Sequence, residues 1–498
     1  MTPAPRRAAL MALVLSLLAG CAVGPRYAPP TADTPPDWKP LSAPAATRAV
    51  TPDPIGDEAW WRSFGDPQLS ALVERALAVN LAAKQAVLRI EEARAQRRIV
   101  AAGAWPSVDA TASYEGTRIS ERTATSSVFE ALSGQSKTPL PPGIAAAIPG
   151  LANPFQQFQY GLTGSWEVDL FGRVRRGVEA ADADTGAAVA DRDAVRVSLM
   201  AEVADAYIDL RGAEVRRAVT QKNISTSTEL LRLATQAREG GLGNDFDLAG
   251  AKAALASAQA ALPPLQTEVA ADKSQLELLL SVKPGALDAE LAADAALPPA
   301  PPQVPIGLPS DLARRRPDIR EAEAALHGAV ARQGVAVASL YPRLTINLAA
   351  GLEASNPAGL AEWAARYFAA GPGLDLPVFD AGLRQANVHI ADMRAKEAAI
   401  AYAQTVLAAL HEVDDAITAY DQEQSRRAAL QSALDESRAA LGLAEARYRT
   451  GSVSFRDVLD AEDKLQSAEL ALAASTAATS EDLVALYKSL GGGWAAAT

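Results

Sequence analysis

Two kinds of hydrophobic spacing alternate along this chain, and both recur. Over residues 108–118, Val108, Ala110, Ala112 and Tyr114 fall on one side, and Asp109, Thr111, Ser113 and Glu115 on the other. Residues 158–169 repeat the period of two, with Phe158, Tyr160, Leu162, Trp166 and Val168 opposed to Gln159, Thr163, Ser165, Glu167 and Asp169. Farther on, Leu344, Ile346, Leu348 and Leu352 oppose Thr345, Asn347 and Glu353. A fourth stretch, 368–378, keeps the phase at Leu374, Leu376 and Val378, although Gly371-Pro372-Gly373 and Pro377 interrupt it. The pattern predicts four strands. After the second strand the spacing changes to three and four, as at Val195, Leu199, Val203, Ala206 and Leu210. It predicts a helix over 173–239, free of proline and stopped by Gly240-Gly241-Leu242-Gly243. Residues 383–450 form a twin run that stops at Gly451. Each run spans roughly 100 Å at about 1.5 Å per residue, and shorter helical runs near 248–282 and 317–340 sum to roughly 90 Å. One long helix leading away from the strands is thus answered by two shorter ones returning, the first kinked at Pro263-Pro264.

The chain is one unit repeated. Gly172, Glu202-Val203, Asp205-Ala206, Gly241, Asp247 and Ala251 match Gly382, Glu412-Val413, Asp415-Ala416, Gly451, Asp457 and Ala461 at an offset of 210. Trp105-Pro106 matches Tyr341-Pro342 at 236, so the first copy carries 26 extra residues, which residues 120–153, rich in Ser, Thr, Pro and Gly, supply as a surface loop.

Strands with one apolar and one polar face fit a soluble sheet packed on helices. They also fit a transmembrane barrel, apolar outside and polar within. Strands of about ten residues have the length that crosses a bilayer when tilted. The polar faces carry Asp109, Glu115, Glu167, Asp169 and Asp375, which suit a wet lumen better than a packed core. Four strands do not close a barrel, since the smallest use about eight, and an open edge in lipid leaves backbone groups unpaired. If these strands span a membrane, several chains share one barrel.

The N-terminus changes the compartment. Arg6 and Arg7 precede an apolar run over residues 8–18 and then Leu18-Ala19-Gly20-Cys21. This is the order of a signal peptide ending at a bacterial lipoprotein acylation site. Cys21 is the single cysteine of the 498 residues, so there is no disulfide framework. Ala22 rather than aspartate follows it, which points to the outer membrane. One lipid anchors weakly without a second attachment. The organisation expected is a leader (1–20), an acylated Pro-rich tether (21–65), a first repeat (66–285), a Pro-rich linker (286–310) and a second repeat (311–498). A net charge of −12 with no basic block argues against nucleic acid.

Chemistry for catalysis is missing. His327, His389 and His411 form no His-Glu-x-x-His pattern, and neither a phosphate-binding Gly-x-x-x-x-Gly-Lys segment nor a Gly-x-Ser-x-Gly elbow occurs. The acid pairs Glu202/Asp205 and Glu412/Asp415 read as solvated or arginine-paired helix residues. No catalytic residue, metal or cofactor is expected beyond a covalent lipid on Cys21.

Several segments together resemble the TolC/OprM-type outer-membrane efflux channels, in their lipoprotein, NodT-like branch. They are Trp-Glu-Val-Asp-Leu-Phe-Gly-Arg at 166–173, Leu-Pro-Ser-Asp-Leu-Ala-Arg-Arg-Arg-Pro-Asp-Ile at 308–319, Leu-Tyr-Pro-Arg-Leu at 340–344, Leu-Pro-Val-Phe-Asp-Ala-Gly at 376–382, Tyr-Arg-Thr-Gly at 448–451 and Leu-Gly-Gly-Gly-Trp at 490–494. The resemblance implies a mainly α chain with membrane β: a homotrimer with a twelve-stranded β-barrel, four strands per chain, continuous with a periplasmic α-helical barrel that tapers to a gated tip. It places gate carboxylates at Asp457 and Asp460, three apart on one helix face, with Asp247 as the equivalent of Asp457 and Tyr448 as a latch. Where some members carry a latch arginine, Val453 stands, with Arg449 and Arg456 nearby. The protein is then expected in the bacterial outer membrane, lipid-anchored and extending into the periplasm. There it would be a passive duct for small molecules delivered by an inner-membrane pump of the resistance-nodulation-division type through a periplasmic adaptor (membrane fusion) protein. The competing reading is a non-transporting periplasmic coiled-coil scaffold lipoprotein.

Overall fold

The structure is a computed structural model and describes residues 22–31, 34–39, 50–53, 59–117, 155–241, 243–292, 296–301 and 303–492. The leader, Cys21 and the loop 120–153 lie outside these residues. In chain order the elements are β1 (Val50–Thr51), α1 (Pro67–Val79), α2 (Leu81–Ala102), β2 (Ser107–Thr117), β3 (Phe155–Val168), α3 (Arg173–Glu239) and α4 (Asp245–Leu279). There follow β4 (Val304–Pro305), α5 (Leu312–Arg315), α6 (Pro317–Ala338), β5 (Arg343–Ala354), β6 (Arg366–Asp375), α7 (Leu383–Arg449) and α8 (Phe455–Ser489). The two longest helices have 67 residues each, and the helices after them 35 each. No helix among the described residues is long and apolar enough to cross a membrane.

The chain divides into two compact units, each drawing on both sequence repeats. The first holds residues up to Tyr27, Ala95–Asp182 and Gly328–Ala395. Its centre is one antiparallel sheet in the order β2-β3-β5-β6. The weakest of the four sequence patterns is a real strand. Pro372 sits opposite Ile346 in β6, where an outermost strand tolerates a missing N–H. That strand stops at Asp375, so Leu376 and Val378 lie past its end. The turn out of β3 is fixed by Asp169, whose carboxylate accepts from the backbone N–H groups of Val174 (3.2 Å) and Arg175 (2.9 Å), satisfying donors that a helix start leaves open. Gly172, at φ +82°, supplies the left-handed step into α3. Asp380 does the same for α7, accepting from Gly382 and Arg384.

In this unit the chain after Cys21 is packed. Val23 N–H donates to the Phe171 carbonyl at 3.1 Å. A Cβ on Gly172 would stand 2.7 Å from that of Ala22, and one on Gly24 2.8 Å from the Gly334 Cα.

The second unit holds Ala28–Arg94, Ala183–His327 and Lys396–Thr498. Its core gathers Leu69, Leu72 and Val73 of α1, Tyr207, Ile208 and Leu210 of α3, Leu276 and Leu280 near the end of α4, and Leu483 and Leu486 of α8. Trp60 stacks on Tyr487 with ring centroids 5.2 Å apart. The Pro-rich segment expected as a tether is tied down at two points. Trp38 is buried and donates from Nε1 to the Gly307 carbonyl at 3.0 Å, and Val50 pairs in parallel with Val304. Two proline-rich stretches, each unable to build a core of its own, cover one another. Helix α4 runs from Asp245 to Leu279 through Pro263-Pro264, and the Thr267 hydroxyl donates to the Pro263 carbonyl.

Candidate functional site

The sheet sorts side chains by register. Asp109 faces Thr163, Thr163 faces Ala349, and Ala349 faces Ala369. Partners in a register row share a face, and every second residue returns to it. One face therefore carries Ser107, Asp109, Thr111, Ser113 and Glu115 of β2, Gln157, Gln159, Thr163, Ser165 and Glu167 of β3, Thr345, Asn347 and Glu353 of β5, and Asp375 of β6. The opposite face carries Val108, Tyr114, Phe158, Tyr160, Leu162, Trp166, Ile346, Leu348, Phe368 and Leu374. That apolar face is bare: Val108 is 65%, Leu162 55% and Phe368 71% exposed. A soluble sheet would have used a helix layer to bury it. Among the described residues, β2 and β6 each pair on one side only, so both edges are open.

Of the five acids read as lining a passage, Asp109, Glu115, Glu167 and Asp375 share the polar face. Asp169 does not extend the strand; its oxygens are engaged in capping α3. Glu167 is neutralised by Arg173, which donates to both its oxygens at 2.8 and 2.6 Å, with Arg343 at 3.8 Å. Glu167, Asp169, Arg173, Arg343, Asp375 and Arg384 line a cleft of about 150 Å³ at this end of the sheet. The basic partners follow their acids by a few residues or stand on the next strand, a signal the period-two reading passed over.

The candidate gate residues gather where the long helices turn, in the second unit. Asp457 is the third residue of α8 and forms a capping box with Ser454. Its Oδ2 accepts from the Ser454 backbone N–H at 2.8 Å and the Ser454 hydroxyl at 2.7 Å, and these bonds hold its carboxyl below the usual range. Asp460 stands one turn on, 3.9 Å from Arg456. Asp247 occupies the matching place in α4, its N–H donating to Asn244 Oδ1. Tyr448 lies against Phe455, ring centroids 5.6 Å apart. Phe455 packs with Ala234 and Ala251, flanked by Leu230, Leu231 and Leu459, so the two turns share one small core. Arg449 pairs with Glu445 in its own helix, 3.5 Å away. Arg238 reaches Asp245 across the other turn at 2.5 Å, an ion pair not read from the sequence.

The mid-helix acid pairs part company. Glu412 is paired as expected, 2.7 Å from Arg316. Asp205 is not. Its Oδ1 is buried with no hydrogen-bond partner. Burial first, then Asp209 and Glu202, raise its pKa to about 7 against the opposing pull of Lys488. Burial and the Asp209 carboxylate raise Glu481 of α8 to about 7 as well, with Asp205 and Asp482 adding to it. Asp272 of α4 rises to about 6, chiefly by burial, with Asp209 and Glu268 outweighing Arg216. The folded chain thus holds protons that the unfolded chain releases near pH 4. This contribution to stability is complete below about pH 4 and disappears as pH rises through 6 to 7. Thermal unfolding followed by circular dichroism is expected to show the midpoint falling by on the order of a few degrees from pH 4.5 to 7.5. Glu481→Gln should flatten that slope; an equally steep slope in this variant would contradict the assignment.

Among the described residues, no group of His, Cys, Asp and Glu has the makings of a metal site. A sheet polar on one side and bare and apolar on the other, in a chain whose paired helices run to 67 and 35 residues, is the build of an outer-membrane channel protein. The chain matches the outer membrane efflux protein family over residues 72–282 and 308–492, and it belongs to that family. It is 30% identical to nodulation protein T of Rhizobium leguminosarum bv. viciae over 98% of this chain and 94% of that one. It is 32% identical to outer membrane protein OprJ of Pseudomonas aeruginosa over 97% and 95%. Among solved structures, the outer-membrane channel OprN superposes with a TM-score of 0.83 at 35% identity, covering 95% of this chain and all of that one. The open state of the Neisseria gonorrhoeae MtrE outer membrane channel gives 0.78 at 30%, covering 95% and 98%.

Proposed function

We propose that three copies of this chain share a twelve-stranded barrel in the outer membrane and form the passive exit duct of a tripartite efflux system. Small molecules would be driven by an inner-membrane pump of the resistance-nodulation-division type and passed on by a periplasmic adaptor.

 The observation that carries this reading is the sheet: among the described residues its apolar face is bare and both its edges are open. The four strands alternate in direction, so β6 of one copy meets β2 of the next antiparallel, and a ring of such units closes without an edge. Apolar residues on α2 (Leu81, Leu88, Ile99) and on α7 (Leu383, Ile390, Ile400, Leu407) are also exposed, and they suit helix packing between copies. Residue Cys21 is proposed to carry the lipid that adds to this attachment. The intact mass of the mature chain tests it, and an unmodified Cys21 would reject it.

The chemistry of the duct is passive. Its polar wall offers water-like contacts and carries carboxylates at Asp109, Glu115 and Asp375. Asp457 and Asp460, with Asp247 and Tyr448 beside them, are proposed as the gate, where rings of carboxylates attract cations and narrow the aperture. Purified protein in a planar bilayer is expected to conduct with cation preference, whereas a scaffold lipoprotein would not conduct. Asp457→Ala with Asp460→Ala should weaken that preference and raise conductance. Because Asp457 also closes the capping box of α8 with Ser454, its loss weakens the helix start as well. Asp460→Ala alone separates the two roles, and an unchanged current–voltage relation in both variants would reject the gate.

A further inference from the structure

One row of the polar face is unlike its neighbours. Across the sheet it reads Thr111, Gly161, Gly351, Tyr367. The two central positions have no side chain, and the tyrosine lies over them. A Cβ on Gly351 would stand 2.9 Å from Tyr367 Cε1, and one on Gly161 2.9 Å from the Tyr367 hydroxyl, while the carbonyl oxygens of Tyr160 and Ala350 would be nearer still, so the two glycines admit the neighbouring backbone as well as the ring. That hydroxyl accepts from Gln159 Nε2 at 2.8 Å, one position out on the same face of β3. The phenol is therefore held flat against the wall by two vacant positions and one hydrogen bond. The rows that follow read Asp109, Thr163, Ala349 and Ala369, then Ser107, Ser165, Asn347 and Gly371, and most of these residues line a hollow of about 440 Å³. Among the described side chains of this face, Tyr367 is the one aromatic ring.

We propose that Tyr367, laid on Gly161 and Gly351 and tied by Gln159, sets the bore of the passage at this level and so the largest cargo that passes. An aromatic ring standing away from the wall would occupy lumen that the flat ring leaves open. Three copies of the effect would converge on one axis. The inference rests on the reading of the polar face as the lumen wall of a shared barrel.

The test uses a reporter deeper than the ring. Asn347 lies on the polar face of β5 four residues from Gly351 toward Arg343, so Asn347→Cys in the full chain gives a thiol beyond the row. Intact cells are treated with a small maleimide and with one bearing a polyethylene glycol chain, and labelling above that of the parent chain is timed. The small reagent is expected to label at the same rate in every variant. Tyr367→Ala should speed the bulky reagent several-fold. Gln159→Ala, which removes the hydrogen bond holding the ring down, should slow it, and Tyr367→Ala placed on top should abolish that slowing. A bulky-reagent rate equal to the parent's in Tyr367→Ala, with the small reagent still reacting, overturns the role of Tyr367. No labelling of Asn347→Cys by either reagent instead overturns the lumen reading on which it rests.

Discussion

Leu348→Arg is expected to eliminate assembled protein from the outer-membrane fraction, while Asn347→Arg, one residue away, is expected to assemble. The contrast follows from register. Leu348 stands sixth of twelve residues in β5, on the bare apolar face beside Gly164 and Ala370. In the proposed three-chain barrel an arginine there would face lipid, at a cost of about 2–4 kcal/mol near the bilayer midplane, taken three times. Asn347 points to the other face, in a row with Ser165 and Gly371, where water solvates a guanidinium. Heat-resistant trimer recovered from outer membranes is the measurement, and ion selectivity of the Asn347→Arg protein adds a second readout, with a shift toward anions expected. Equal recovery of the two variants would mean that the faces have been assigned wrongly.

The second large effect is expected in the helical unit. Arg211 and Glu214 form an ion pair at 2.6 Å with side chains 1% and 2% exposed. The Arg211 guanidinium also donates to Gln68 Oε1 at 2.7 Å and lies 5.0 Å from the Tyr207 ring centroid. Tyr207, whose hydroxyl is pushed up to about 12 mainly by burial, donates to Asp66 Oδ2 at 2.8 Å. Asp66 in turn caps α1, accepting from Gln68 N–H and Leu69 N–H. One network thus fastens the start of α1 to the middle of α3. Glu214→Leu leaves a buried cation without its partner and is expected to cost about 3–5 kcal/mol, as is Arg211→Leu. The double variant should recover most of the loss, because two apolar side chains leave no charge to solvate. Unfolding in detergent by heat and by denaturant measures it. A loss below about 1 kcal/mol in Glu214→Leu, or no recovery in the pair, would refute the account.

Periodicity is a local property, and what it determines was legible. The helix Arg173–Glu239 begins and ends where proline-free spacing and the glycine cluster place it. All four strands sit within a few residues of their sequence patterns. Partners brought from elsewhere were not legible. Asp169 continues the alternation of β3 in sequence, yet the backbone has already turned and its carboxylate serves a helix start. Asp205 resembles Asp415 on the page, but it is buried beside Asp209 and interacts with Glu481 of α8, whereas the preceding turn of the second copy finds Arg316. Trp38 sits among prolines that read as a loose strand of chain, and its burial depends on the Gly307 carbonyl far along the sequence. The candidate gate acids were picked out by motif and spacing. Their capping bonds were not, although Ser454 three residues ahead of Asp457 is a capping-box signature.

The packing of Ala22 and Val23 against Gly172 and Phe171 changes what an anchor at the preceding residue does. Consecutive Cα atoms are about 3.8 Å apart, so the lipid proposed for Cys21 would hang one residue from packed chain. Instead of a leash that lets the body drift, it would act as a depth stop, setting how far the bend between β3 and α3 stands from the lipid surface.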